Sequence, residues 1–296
     1  MRKILLLTFY LIFIMLNGFA QKKGPDKKIA FKYTPQGKLS LHAFYPPTYD
    51  KNKSYPTVIF FFGGGWVKGG PAHFYGQAEH LSSLGLICYC AEYRTRTSHN
   101  TSPYECVKDA KSAVRYVREN AKELGVNPNL IATSGGSAGG HLAICCAMIT
   151  NINDDNDDLR TSAVPNLCFA YNPILDTTEK GFGSDRMLGN DTILSPLHNV
   201  RSHLPPILIM TGTKDKCAKW ENALDFRKEM RKNKNDLVLR PFFGQEHSFF
   251  NNQKRKNPKK GDIHYKFTLY ESELFLWMHG FLSKEPTWEY NFFHKG

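Results

Sequence analysis

Three residues carry the side chains from which a serine nucleophile is assembled, and they occur in the order Ser137, Asp215, His247. A serine hydroxyl attacks a carbonyl carbon efficiently only when a neighbouring base takes its proton, and the base needs a carboxylate to fix its ring. Ser137 lies in Gly135-Gly136-Ser137-Ala138-Gly139, a G-x-S-x-G pattern placed between the apolar run Leu130–Ser134 and a helical pattern over Ser137–Ile149. A strand, a sharp turn and a helix are the setting this pattern requires. The turn lifts the hydroxyl above the sheet, so the positions two before and two after the serine must be small. Gly140 lets the helix pack closely on the strand. The helix start also aims unspent N–H groups and a positive dipole end at a developing oxyanion.

A base and an acid stand where such an elbow demands them, each on a loop after a strand. His247 follows the run Leu237–Phe242 in Gly244-Gln245-Glu246-His247, and Asp215 follows Ile207–Thr211 in Gly212-Thr213-Lys214-Asp215. Asp176, after Leu167–Tyr171 and Asn172-Pro173, is the alternative acid. Glu246 adjoins His247 too closely to orient its ring. His141 falls one helical turn beyond Ser137 and reads as a packing or supporting group, while His203 and His264 follow no strand end. A second glycine cluster, Gly63-Gly64-Gly65, ends the apolar run Thr57–Phe62. Consecutive glycines let backbone N–H groups approach a substrate oxygen, so Gly63, Gly64 and Ala138 are the expected oxyanion donors.

The elements that must hold these groups alternate. Besides the runs above, Leu86–Ala91 and Leu167–Tyr171 are short and apolar, as strands buried on both faces are. Helical patterns fill Pro103–Leu124, stopped by Asn127-Pro128, and Lys219–Lys232, and a closing helix spans Lys266–Leu282. Lys28–Tyr33 and Leu39–Tyr45 read as an antiparallel pair through Pro35-Gln36-Gly37. Alternation of this kind predicts a mostly parallel sheet with helices on both faces. The stretch Asp176–His203, rich in Gly, Asp and Asn, breaks the rhythm and is expected to form an insertion over the sheet edge.

These stretches resemble the esterase and acetylesterase branch of the α/β-hydrolases, which includes bacterial acetyl xylan and feruloyl esterases. The resemblance rests on Phe61–Trp66, Ala91-Glu92-Tyr93-Arg94, Ser134–Ala143, Ser195-Pro196-Leu197-His198-Asn199-Val200, Pro205–Asp215 and His247. It implies the α/β-hydrolase fold, a Ser137-His247-Asp215 triad, small acyl esters as substrates (commonly acetyl groups on polysaccharides) and no cofactor or metal. One departure stands out. Members carry a histidine before the triple glycine that braces the oxyanion loop, and this chain has Phe62. The same triad serves lipases, general carboxylesterases, peptidases and amidases, and the fold also serves binding proteins with degenerate sites. The intact Ser137, Asp215 and His247 argue against the last.

Composition sets the surroundings. Of 296 residues, 41% are hydrophobic, enough for a sizeable core in one catalytic domain over residues 21–296. Arg2 and Lys3 precede an apolar run from Ile4 to Leu16, then Gly18 and Ala20. This is the pattern of an export signal over residues 1–20 cleaved after Ala20, too short to cross a bilayer comfortably, so a secreted or periplasmic location without stable membrane insertion is expected. The net charge of +12 favours anionic partners, including acidic polysaccharide, and export argues against nucleic acid. Lys254, Arg255, Lys256, Lys259 and Lys260 form a basic run shortly after His247. The seven cysteines lack metal-site spacing and read as small buried side chains, with one disulfide left open.

Overall fold

The computed structural model describes residues 24–252 and 263–287; the expected export signal and the basic run at 254–260 lie outside the described residues. Eight strands form one sheet: β1 (Lys27–Thr34), β2 (Gly37–Phe44), β3 (Tyr55–Phe61), β4 (Ile87–Ala91), β5 (Val126–Gly136), β6 (Leu167–Tyr171), β7 (Ile207–Gly212) and β8 (Leu237–Phe242). Their spatial order is β1-β2-β4-β3-β5-β6-β7-β8. β2 runs antiparallel to both β1 and β4, and every later pairing is parallel. The sheet is therefore mostly parallel, as the alternation predicts.

Side chains of period two divide the core into two layers. In β3, Val58 and Phe60 enter one layer while Ile59 and Phe61 enter the other, all of them buried. The layer of Ile59 and Phe61 packs against α2 (Pro103–Glu119), α3 (Ala138–Met148) and α4 (Trp220–Lys232) through Val107, Val114, Leu142 and Phe226. The layer of Val58 and Phe60 is covered by α1 (Tyr75–Ser83) and α5 (Ile263–Met278) through Leu81, Phe275 and Leu276. Each fully buried Val, Leu or Phe contributes about 1.5–3 kcal/mol, so a strand buried on both faces is fixed in register by its own side chains.

Three details differ from the sequence expectation and a fourth refines it. α1 carries no clear apolar stripe in Tyr-Gly-Gln-Ala-Glu-His-Leu-Ser-Ser, and only Ala78, Leu81 and the half-buried Tyr75 supply its apolar contacts with the core. The helix from Pro103 ends at Glu119 because Asn120 leaves helical geometry, and a separate turn over Ala121–Leu124 closes on Gly125 at φ 65°. The last helix begins at Ile263 and ends at Met278, with Gly280 at φ 76° turning Phe281 and Leu282 into the core. The insertion is more narrowly placed than the rhythm of the sequence indicates, at the carboxyl ends of β3 and β5. Its residues contact the loop after β3 and helix α3: Phe182 stands near Trp66, Arg186 bonds Gly65, and Leu194 bonds His141.

All seven cysteines are free thiols, six buried and Cys217 half-buried. Among the described residues, no helix is long and apolar enough to cross a membrane.

Candidate active site

Ser137 occupies the turn between β5 and α3 at φ 56°, ψ −124°. A non-glycine residue there is strained by an order of 1–3 kcal/mol and persists only where its surroundings fix it. Here the Ser137 N–H donates to Tyr171 O at 2.9 Å, and Ser137 O accepts from His141 N at 3.0 Å. The flanking glycines are steric necessities. A Cβ on Gly135 would stand 2.5 Å from Gly139 O and Phe61 O, and one on Gly139 would stand 2.0 Å from Phe61 O. The hydroxyl is thus held outward above the carboxyl ends of β3 and β5.

His247 reaches it from the loop after β8. Its Nε2 lies 2.9 Å from Ser137 Oγ, and its Nδ1 lies 2.7 Å from Asp215 Oδ2. Asp215, on the turn after β7, has a fully buried carboxylate. Its Oδ1 accepts the backbone N–H groups of Cys217 at 2.8 Å and Ala218 at 2.9 Å, and Oδ2 also accepts Asn172 Nδ2 at 2.5 Å. Those donors let a carboxylate remain charged out of water. Facing that charge, Nδ1 carries the imidazole proton, which leaves Nε2 to accept from the serine hydroxyl. Burial, with the Asp215 charge beside it, raises the Cys217 thiol pKa and disfavours the thiolate.

Asp176 is not part of this hydrogen-bonded series. Its Oδ1 accepts the N–H and hydroxyl of Thr178 at 2.9 and 2.7 Å, and its nearest histidine is His198 at 3.9 Å. Glu246 and His203 are exposed, and the His264 ring packs near Phe242 and Phe249. His141 is fully buried; it accepts Trp66 Nε1–H at 3.3 Å and donates from Nε2 to Leu194 O at 2.7 Å. Burial lowers its pKa to about 4, against the opposing Leu194 bond, so the ring is neutral near pH 7.

The oxyanion loop differs from expectation by one position. The Gly63 N–H is spent on His73 Nδ1 at 3.1 Å. The preceding carbonyl, Phe62 O, accepts the Tyr93 hydroxyl at 2.7 Å, and the Phe62 ring stacks on Tyr93 with centroids 3.9 Å apart. With the Phe62–Gly63 peptide held at both ends, the next N–H, that of Gly64, is left without a protein acceptor among the described residues, as is that of Gly65. Gly64 is exposed at φ 127°, where a Cβ would meet Lys68 O at 1.8 Å. Among the described residues, neither the Gly64 nor the Ala138 N–H has a protein acceptor. His73 displaces the register because it reaches back ten residues to take the first glycine's donor, a contact with no local sequence signature.

Asp215, Cys217 and His247 also present an oxygen, a sulfur and a nitrogen within 4.8 Å of one another, the one group of that kind found among the described residues. The ring nitrogens and carboxylate oxygens are already engaged in the bonds above, so the donor set fits proton transfer better than a resident cation. Asn172 is the site residue that sequence reasoning passed over. It ends β6 at φ 44°, fully buried, and the pair Asn172-Pro173 was legible only as a strand end.

Strand order and elbow together define an α/β-hydrolase. Family models agree: BD-FAE matches residues 43–179, and the dienelactone hydrolase family matches residues 170–273. Thermogutta terrifontis esterase 2, in its native form, superimposes with a TM-score of 0.83 at 34% identity, covering 90% of this chain and 96% of that one. Its butyrate-bound form gives 0.82 at 34%, covering 90% and 98%. The chain belongs to the α/β-hydrolase esterase family of which that enzyme is a member. Among curated relatives, the acetylxylan esterase of Xylanibacter ruminicola is 25% identical over 253 residues, 80% of this chain and 49% of that protein. Esterase LipC of Mycobacterium tuberculosis is 28% identical over 199 residues, 60% of this chain and 49% of that protein. The chain spans about half the length of these curated relatives.

Proposed function

We propose that this chain is a serine carboxylesterase acting through Ser137, His247 and Asp215. The observation that carries the reading is the unbroken hydrogen-bonded series from Ser137 Oγ through both nitrogens of His247 to Asp215. Ser137 Oγ attacks the ester carbonyl as its proton passes to His247 Nε2. The carbonyl oxygen, now negative, is held by the N–H groups of Gly64 and Ala138, where the start of α3 adds its dipole. The C–O bond to the alcohol breaks as His247 returns the proton to the leaving oxygen. Water, deprotonated by the same His247, then releases the acid and restores Ser137. Asp215 holds the Nδ1–H throughout and stabilises the imidazolium.

Short acyl groups are the favoured substrates, and acetyl groups on polysaccharide the favoured natural source. This rests on the propionate- and butyrate-bound forms of the similar esterase and on the acetylxylan esterase relative. The surplus of basic residues favours an anionic glycan. Export after removal of residues 1–20 fits such a substrate, and intact-mass analysis of protein recovered outside the producing cell tests it by the presence of a chain beginning at Gln21.

Hydrolysis of p-nitrophenyl esters from acetate to octanoate, with wild type beside Ser137→Ala, tests the central reading. Ser137-dependent hydrolysis concentrated on acetate supports it in full. Ser137-dependent hydrolysis of long chains moves the substrate to lipids, and activity that survives Ser137→Ala refutes the triad. Acetate release that falls steeply with added salt on anionic glycans, and not on neutral ones, supports the charge argument.

A further inference from the structure

The histidine that precedes the glycines in related sequences is Phe62 here, yet the oxyanion loop is not left unsupported. His73 sits in the turn Pro71–Phe74 that leads into α1, on the sheet face opposite α3. Its ring accepts the Gly63 N–H at Nδ1, 3.1 Å away, so Nδ1 carries no proton. Its Nε2 lies 2.7 Å from Asn251 Oδ1, an acceptor, so Nε2 carries the proton. The two partners together select a single neutral tautomer. Asn251 closes the turn that follows the base, its N–H donating to Ser248 O at 3.1 Å. Phe74 and Phe250 pack beside the ring at a tilt, with centroids 5.0 and 5.8 Å from it.

We propose that His73 is a positioning residue that ties the oxyanion loop to the loop carrying His247, through the series Gly63 N–H, His73, Asn251. Resting on the esterase reading above, the argument is geometric. The peptide between Phe62 and Gly63 has Tyr93 on its oxygen and His73 on its nitrogen, which fixes the plane of that peptide. Fixing that plane aims the following N–H, that of Gly64, toward the position the oxyanion takes. Loops move independently unless bonded, and here the loop of the donor and the loop of the base are both bonded to one side chain. His73 acts through the Gly63 peptide and Asn251 rather than on the reacting atoms, so its effect is expected in turnover rather than in substrate affinity.

The test is kcat and KM on p-nitrophenyl acetate, with turnover divided by the concentration of sites titrated with a phosphonate. The variants are His73→Phe, which keeps an aromatic ring beside Phe74 and Phe250, His73→Asn, whose side-chain oxygen takes the place of Nδ1, and Asn251→Ala. Loss of a donor's alignment is expected to lower kcat per titrated site about tenfold to a hundredfold in His73→Phe, with KM within about twofold. His73→Asn recovers most of that loss. Asn251→Ala gives a smaller loss, and adding it to His73→Phe costs little more because both interrupt one series. A structural role alone lowers the melting temperature and the titratable fraction and leaves kcat per site unchanged, which overturns the proposal. Equal kcat in His73→Phe and His73→Asn also overturns it. Failure of the esterase reading looks different: the wild type itself then shows no Ser137-dependent hydrolysis.

Discussion

Asn172 donates its side-chain N–H to Asp215 Oδ2, the oxygen that also receives the N–H of His247. The carboxylate is therefore aimed from two sides by residues at the ends of two different strands. A hydrogen bond to a charged group contributes about 1.5–3 kcal/mol. If that is expressed in the transition state, Asn172→Leu lowers kcat about tenfold to a hundredfold, and steady-state kinetics on a short ester measures it. An unchanged kcat would mean that the two backbone donors from Cys217 and Ala218 hold Asp215 unaided.

Asp215 and Asp176 are both buried acids after a strand, and substitution separates them. Asp215→Asn disrupts the tautomer that presents Nε2 to Ser137 and is expected to lower kcat by about 10³–10⁴. Asp176→Asn keeps kcat within about threefold, because its carboxylate serves the turn at Thr178 instead. Comparable losses in both variants would place Asp176 in the chemistry.

His141 makes stability depend on pH. Its pKa falls from 6.5 in the unfolded chain to about 4 when buried. Between those values the unfolded chain binds the proton and the folded one does not, so acid favours unfolding. Its contribution to stability is fully present above pH 6.5, declines as pH falls and reaches its floor near pH 4. The span amounts to roughly 3 kcal/mol. Urea unfolding at pH 7 and pH 5 should show a smaller difference for His141→Gln than for the wild type. Equal differences would assign the acid sensitivity to other groups.

Gly139 and Gly70 predict opposite outcomes for one added methyl group. Gly139→Ala forces a Cβ to within 2.0 Å of Phe61 O and 2.4 Å of Phe62 O, backbone atoms of β3 and the oxyanion loop. Little or no folded protein is expected, judged by circular dichroism and yield. Gly70→Ala meets nothing within 4 Å and should leave the melting temperature within about 2 °C. A well-folded Gly139→Ala enzyme would show that the elbow is looser than its contacts imply.

The elbow and the strands that frame it were legible because their signals are local. Gly135, Gly139 and Ser137 are within a few residues, and β6 and β8 match their apolar runs end for end. The first helix was not legible, since Gln77 and Ser82 are buried along it and blur the period. The oxyanion register was missed for a different reason: whether Gly63 or Gly64 offers its N–H is decided by His73 and Tyr93, which only the folded chain brings near. Asn172 was invisible as a site residue because its partner lies 43 positions away on another strand end. Position along the chain conveys strand ends well and the traffic between them poorly.

The seven thiols have a consequence for how this protein is made. Six are sealed in the interior, and burial raises their pKa values, so neither air nor a reductant has much to act on. Disulfides that lock a fold form and persist only in an oxidising compartment. With all seven cysteines free, this fold rests on no such bond, so dithiothreitol in the refolding buffer should neither help nor harm the yield, and the choice of host compartment is free of that constraint.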